Sequence, residues 1–75
     1  MRFKDLRPKY EDLDIYIEKE SLNLLSVPQK MKFEFAKSMF ENRKVLFSED
    51  HDDKKITEVL LESDADYEKR KKFES

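Results

Sequence analysis

The chain has 75 residues, of which 45% are charged and 37% hydrophobic, and its net charge is only -2. It contains no glycine, no cysteine, no tryptophan and one histidine, which excludes disulfides, cysteine chemistry and glycine-rich phosphate-binding loops. A chain of this length predicts a single small domain over residues 1–75. Since no apolar run approaches the ~20 residues of a membrane span, we expect the protein to be cytoplasmic and without membrane association.

The missing glycine favours helices, because tight hairpins usually recruit glycine for backbone angles that other residues resist. β-Branched residues, which are enriched in strands, are also few. We therefore predict an all-α protein, a small three-helix bundle with helices near 8–25, 28–44 and 53–73. The alternative is an α+β fold in which a short sheet, with strands near 12–18 and 44–49, surrounds one central helix.

The first predicted helix begins at Pro8, because proline is favoured at the first helical position and two acidic residues follow in the first turn. One face of this helix carries apolar residues at helical spacing, namely Tyr10, Leu13, Ile17 and Leu24. Residues 12–18 also fit a strand, since apolar and polar residues alternate there. We favour the helix because no glycine turn follows that could close a hairpin.

The second predicted helix follows Ser26, which forms a capping-box pattern with Gln29 three residues later, and Pro28 lies in its first turn. The helix runs to about Asn42, with an extension through Phe47 as the alternative, and residues 28–47 carry two apolar bands. One band is Met31, Phe35, Met39 and Leu46, and the other is Phe33, Ala36, Phe40 and Phe47. Two neighbouring helices can bury both bands, whereas a band left uncovered would serve as an interface.

The third predicted helix starts near residue 52 or 53, after a polar segment over 48–53 that we interpret as a loop. One side of this helix carries Ile56, Val59, Leu60, Ser63 and Tyr67. A separate helix start at Asp64 is the alternative. Acidic residues precede the basic run 69–72, an order of charges that suits a helix dipole.

Residues that carry chemistry are scarce. The lone His51 lies in the polar segment near Ser48, but no pattern indicates that the two side chains are held together as nucleophilic catalysis requires. The acidic run over 49–53 lacks both the spacing and the glycine of a calcium loop. We therefore expect no enzyme activity, no metal site and no cofactor.

The aromatic residues give the main functional prediction, because interface hot spots favour aromatic side chains and arginine. We predict a non-enzymatic regulatory or interaction protein that binds a protein partner, or itself as a homodimer, through an aromatic helix face. The candidate residues are Phe33, Phe40, Phe47, Tyr16 and Arg43. The acidic clusters would steer the chain to a basic partner. In style the chain resembles small, charge-rich accessory proteins of phages and mobile elements, and this resemblance implies an inhibitor-type role.

Nucleic-acid association is the alternative function. Its candidate residues are Lys30, Lys37 and Lys44 on one edge of the second helix, with Lys69, Arg70, Lys71 and Lys72 in the tail. A pI of about 5.4 makes this function less favoured, because binding to the phosphate backbone depends on concentrated positive charge.

Overall fold

A computed structural model describes residues 1–18 and 28–74, which form four strands and two α-helices. The elements are a short 3-10 helix (Phe3–Asp5), β1 (Asp12–Ile17), β2 (Gln29–Lys32), α1 (Phe33–Phe40), β3 (Val45–His51), β4 (Ile56–Leu61) and α2 (Asp64–Glu74). The strands form one mixed sheet in the order β2-β1-β4-β3. The fold is therefore α+β, and the predicted three-helix bundle is wrong, as is the description of a small helical protein.

The centre of the sheet joins segments that are far apart in sequence. β1 and β4 pair in parallel, with Leu13 opposite Thr57 and Ile17 opposite Leu61. β2 adds to β1 and β3 adds to β4, both in antiparallel fashion. β2 and β3 are consequently the two edge strands of the sheet.

β1 occupies residues that we assigned to the first predicted helix. Leu13 and Ile15 are buried, whereas Asp12 is exposed and Asp14 and Tyr16 are half-buried. This alternation with period two is the strand pattern, and burial of one face of the sheet decides between the two interpretations. The predicted helical face is divided between a loop and a strand, and its Leu24 lies outside the described residues.

β4 and α2 replace the third predicted helix. Thr57, Val59 and Leu61 are buried and alternate with half-buried neighbours, so residues 56–61 also follow period two. The helix begins at Asp64, the alternative start. The Ser63 hydroxyl accepts a hydrogen bond of 3.2 Å from the Asp66 backbone N–H and thereby caps this helix.

α1 is much shorter than the predicted helix over 28–44, because residues 29–32 form β2 and residues 41–44 form a turn that leads into β3. Ala36 and Phe40 of α1 are buried, while Phe35 and Met39 on its other side are exposed. The last residues of the two predicted apolar bands, Leu46 and Phe47, lie on β3, so neither band continues along one helix face. The capping residue Ser26 lies outside the described residues.

Phe3 anchors the core from the start of the chain. Its side chain is fully buried, its ring stacks on Phe33 at 5.6 Å between centroids, and it meets Phe40 edge-on at 6.4 Å. These rings cover the inner face of the sheet. The buried apolar core consists of Phe3, Leu6, Leu13, Ile15, Ala36, Phe40, Val59 and Leu61.

The turn between β3 and β4 explains how a hairpin forms without glycine. Lys55 adopts a φ of 55°, in the left-handed region that glycine occupies at little cost. For other residues this conformation costs roughly 1–2 kcal/mol. The paired strands on either side stabilise the turn sufficiently to hold a lysine there.

This strained turn leads to a first prediction. We expect Lys55→Gly to raise the free energy of unfolding by up to about 1 kcal/mol, which is the relieved strain less the entropy cost of glycine. Thermal unfolding followed by circular dichroism would measure it as an increase in Tm of about 4–8 °C. Lys54→Gly is the matched control and should lower Tm, since Lys55 has the only positive φ among the described residues. Equal decreases in Tm for the two variants would contradict backbone strain at Lys55.

The turn is also tied to the segment that precedes β1. Asp52 Oδ1 accepts hydrogen bonds from Lys9 Nζ at 2.7 Å and from the Tyr10 hydroxyl at 2.6 Å. The hydrogen bond from Lys9, followed by that from Tyr10, lowers the pKa of the Asp52 carboxyl, and the same contact raises the pKa of Lys9. The contact fixes the start of β1 against the far end of β3.

α2 is held at the end of β4 by a buried carboxylate. Glu62 is 4% exposed and pairs with the Arg70 guanidinium, while its Oε2 accepts a hydrogen bond of 2.5 Å from the Lys44 backbone N–H. Arg43 stacks over the Tyr67 ring at 4.4 Å and bonds to Asp64 at 2.7 Å. Polar contacts, rather than an apolar face, therefore position this helix.

Candidate functional site

The sheet has two chemically different faces. The face that carries Leu13, Ile15, Val59 and Leu61 packs on the core, so the alternate residues of each strand lie on the opposite face. We call this opposite side the outer face. Its residues on the three neighbouring strands β1, β4 and β3 are Asp12, Asp14, Tyr16, Ile56, Glu58, Leu60, Phe47, Glu49 and His51.

An apolar row crosses the outer face. Tyr16 lies opposite Leu60 in the parallel pair, and Leu60 lies opposite Phe47 in the antiparallel pair. Phe47 is 56% exposed, while Tyr16 and Leu60 are half-buried. Together with Glu58 and Val59 these residues line a cavity of about 240 Å³ to which neither α1 nor α2 contributes a residue. An apolar side chain from outside the chain can contact this row.

A charged row runs beside the apolar one. Asp14 lies opposite Glu58, and Glu58 lies opposite Glu49. On the β1 side the carboxylates have cationic neighbours, with Lys30 Nζ 3.7 Å from Asp14 and Lys32 Nζ 2.8 Å from Asp12. On the β3 side, no lysine or arginine of the described residues forms an ion pair with Glu49 or Glu58. Negative charge is therefore concentrated at the β3 side of the outer face.

His51 lies between the two carboxylates that lack a lysine. Its Nε2 is 2.5 Å from Glu58 Oε1 and 3.9 Å from Glu49 Oε2. Ser48 lies opposite the buried Val59, three residues before His51, so the serine and the histidine occupy opposite faces of the sheet. The His51 side chain therefore has carboxylates beside it but not the hydroxyl of Ser48.

β3 also presents a backbone edge. At its start this edge is occupied, because the Val45 N–H donates a hydrogen bond to the Met1 carbonyl at 2.8 Å and the backbones of Arg2 and Lys44 form an isolated antiparallel β-bridge. The outer side of β3 is the edge of this strand that faces away from β4. From Leu46 to His51 no strand in the described ranges pairs with this outer side. Unpaired N–H and C=O groups on an edge strand are a template for a further strand.

The five predicted partner-binding residues separate into three places. Phe33 and Phe40 pack on Phe3 in or against the core, so they are not on an aromatic helix face open to a partner. Arg43, whose side chain is 12% exposed, lies at the base of α2. Tyr16 and Phe47 alone come together, on either side of Leu60 on the outer face.

The basic residues proposed for nucleic acid are dispersed. Lys30 lies on β2 and Lys37 on α1, while Lys44 precedes β3 at the opposite edge of the sheet. Lys44 and Arg70 line a common pocket of about 190 Å³ with Met1 and Arg2. Lys69, Lys71 and Lys72 are exposed on α2. The seven-residue spacing does not form a continuous basic edge, because it spans a strand, a helix and a loop.

Sequence reasoning missed Leu60 and Glu58 as surface residues, although a signal for them existed. Residues 56–61 alternate, so Thr57, Val59 and Leu61 share one face and Glu58 and Leu60 share the other. The polar segment over 48–53, which the sequence predicts to be a loop, instead lies largely in β3, so its acidic residues reach the sheet. Across residues 1–18 and 28–74 no group of three or more acidic or histidine side chains is arranged to hold a metal ion.

No protein-family model, curated protein or solved structure matches this chain. The expected regulatory, inhibitor-type and homodimeric roles therefore have no support from relatives. Neither helix in the described ranges is both long and apolar enough to cross a membrane.

Proposed function

We propose that the chain is a non-enzymatic interaction protein of the cytoplasm that binds a protein partner through the outer face of its sheet. The observation that carries this proposal is the apolar row Tyr16, Leu60 and Phe47, which borders an open cavity of about 240 Å³. Phe47 is more than half exposed, and transferring its apolar surface from water into an interface is favourable.

The surroundings of the apolar row match those of protein interfaces. Tyrosine and phenylalanine are enriched at the centre of such interfaces, and a polar rim surrounds them. Here Glu58, Glu49 and His51 supply that rim on neighbouring positions of β4 and β3. The proposed partner surface lies on the sheet, whereas the sequence predicts a helix face.

A photo-crosslinking experiment tests this proposal. Benzoylphenylalanine introduced at position 47 should give a discrete adduct with one protein when expressed in its native cells, because Phe47 is 56% exposed beside the cavity. Position 73 is the matched control, since Phe73 is 89% exposed on α2 and lies away from the cavity.

Adducts at position 47 that are absent at position 73, and that disappear when Leu60→Glu is added, would support the proposal. An adduct at twice the mass of the chain would identify a second copy as the partner. The same adducts at both positions, or none at position 47, would contradict binding through the outer face.

A further inference from the structure

The unpaired edge of β3, together with the carboxylates of Glu49 and Glu58 that lack a lysine or arginine partner among the described residues, defines what kind of segment can bind there. We propose that an extended basic segment of the partner adds as a fifth strand to the outer side of β3, pairing with Leu46 to His51. This inference rests on the proposed function and specifies the chemistry of the partner at the same surface.

The backbone supplies the first requirement for strand addition. β3 has seven residues and is an edge strand, and beyond Val45 its outer side has no strand partner among the described residues. An added strand would satisfy those N–H and C=O groups, which is the basis of recognition by β-augmentation. The other edge strand, β2, has four residues and carries Lys30 and Lys32, which protect an edge from pairing.

The side chains of β3 specify the alternation in the added segment. Phe47 and Glu49 are two residues apart and therefore lie on the same outer face. Residues directly opposite each other on paired strands contact one another. The partner segment therefore needs an apolar residue opposite Phe47 and, two positions away, a lysine or arginine opposite Glu49.

Charge argues for a basic segment rather than a second copy of this chain. β3 and β4 carry Glu49, Asp50 and Glu58 but no lysine or arginine. Pairing with another β3 would bring further Glu49 and Asp50 carboxylates to the junction, and like charges on paired strands are destabilising. A lysine or arginine next to Glu49 would instead neutralise a carboxylate that forms no ion pair with any lysine or arginine of the described residues.

The test uses the full chain and a short fluorescent peptide of alternating valine and lysine, with binding followed by anisotropy. We expect saturable binding that weakens as sodium chloride is raised, and affinity about tenfold lower for a matched valine and glutamate peptide. Backbone N-methylation of the lysine peptide should abolish binding, because it removes the donors that pair with β3. Equal affinity for the two peptides, or binding that survives N-methylation, would overturn the proposal.

Variants of the chain locate the site. Glu49→Lys should lower the affinity for the lysine peptide by about tenfold. Glu34→Lys, an equal charge reversal on the exposed side of α1, should leave the affinity for this peptide unchanged. Bound peptide should also slow amide hydrogen exchange at 46–51 but not at 29–32. Equal loss in both variants, or protection at β2 instead of β3, would contradict strand addition to β3.

The outcome is separable from that of the crosslinking experiment. A specific adduct at position 47 together with no binding of the lysine peptide would retain the interaction function and reject the basic strand. Dimers of the free chain that dissociate on Phe47→Asp would show that a second copy occupies the edge, and this also overturns the proposal.

Discussion

Phe3→Ala should cost about 3–5 kcal/mol of the free energy of unfolding, the range for truncating a buried phenylalanine. The Phe3 side chain is fully buried and contacts the Phe33 and Phe40 rings of α1, so its removal leaves a cavity between the sheet and the helix. A domain of this length has roughly 4–11 kcal/mol in total. Urea unfolding should therefore show a much lower midpoint or a chain that is unfolded without denaturant.

Phe73→Ala is the control for this prediction, because it makes the same chemical change at an 89% exposed position. We expect its free energy of unfolding to stay within about 0.5 kcal/mol of the unsubstituted chain. A comparable loss in both variants would contradict the placement of Phe3 in the core. The contrast matters because Phe3 lies in a segment whose sequence shows no periodic pattern.

Arg70→Ala should cost about 3 kcal/mol, because it leaves the buried Glu62 carboxylate without its guanidinium partner. The Arg70 side chain also donates to the Asn42 carbonyl at 2.8 Å, so α2 loses two attachments at once. Urea unfolding measures the loss. Lys69→Ala, on the preceding exposed residue of α2, should change stability by no more than about 0.5 kcal/mol. If the two variants behave alike, the pair does not hold the helix.

The pH dependence of stability gives an independent check of the same pair. Burial opposes ionisation of Glu62, but hydrogen bonds from Arg70 and from the Lys44 backbone, with the charges of Arg70 and Arg43, lower its pKa below the ordinary 4.5. A lowered pKa in the folded state means that ionised Glu62 stabilises the fold above its ordinary pKa. This contribution is lost as the pH falls through the lowered pKa. The stability difference between wild type and Glu62→Gln should therefore shrink in acid.

The strands could be predicted only in part from the sequence. Residues 12–18 carried the alternating pattern that β1 follows, but the absence of glycine outweighed it. Lys55 shows why that inference fails, since a lysine takes the left-handed position that the hairpin needs. Composition gives the usual solution to a turn, whereas paired strands can stabilise an unusual one.

Of the five partner-binding residues predicted from the sequence, Tyr16 and Phe47 line the candidate site on the outer face. Helical spacing groups Phe47 with Phe33 and Phe40 in one apolar band. Phe33 and Phe40 lie on α1, however, and Phe47 lies on β3, so this spacing does not place the three side chains on a shared face. The pairing of β1 with β4 is what places Tyr16 next to Leu60. Such a contact depends on tertiary register, which a single sequence does not reveal.

The parallel pairing of β1 with β4 has a consequence for how the molecule is made. Its central ladder joins Leu13 to Thr57 and Ile17 to Leu61, so the two inner strands cannot pair with each other until the polypeptide has been synthesised through β4. Folding that depends on distant pairing is slow, and apolar segments stay accessible meanwhile. We expect nascent chains that stop before residue 56 to be targets for chaperones and proteases, and native protection to arise only after the ribosome has added β4.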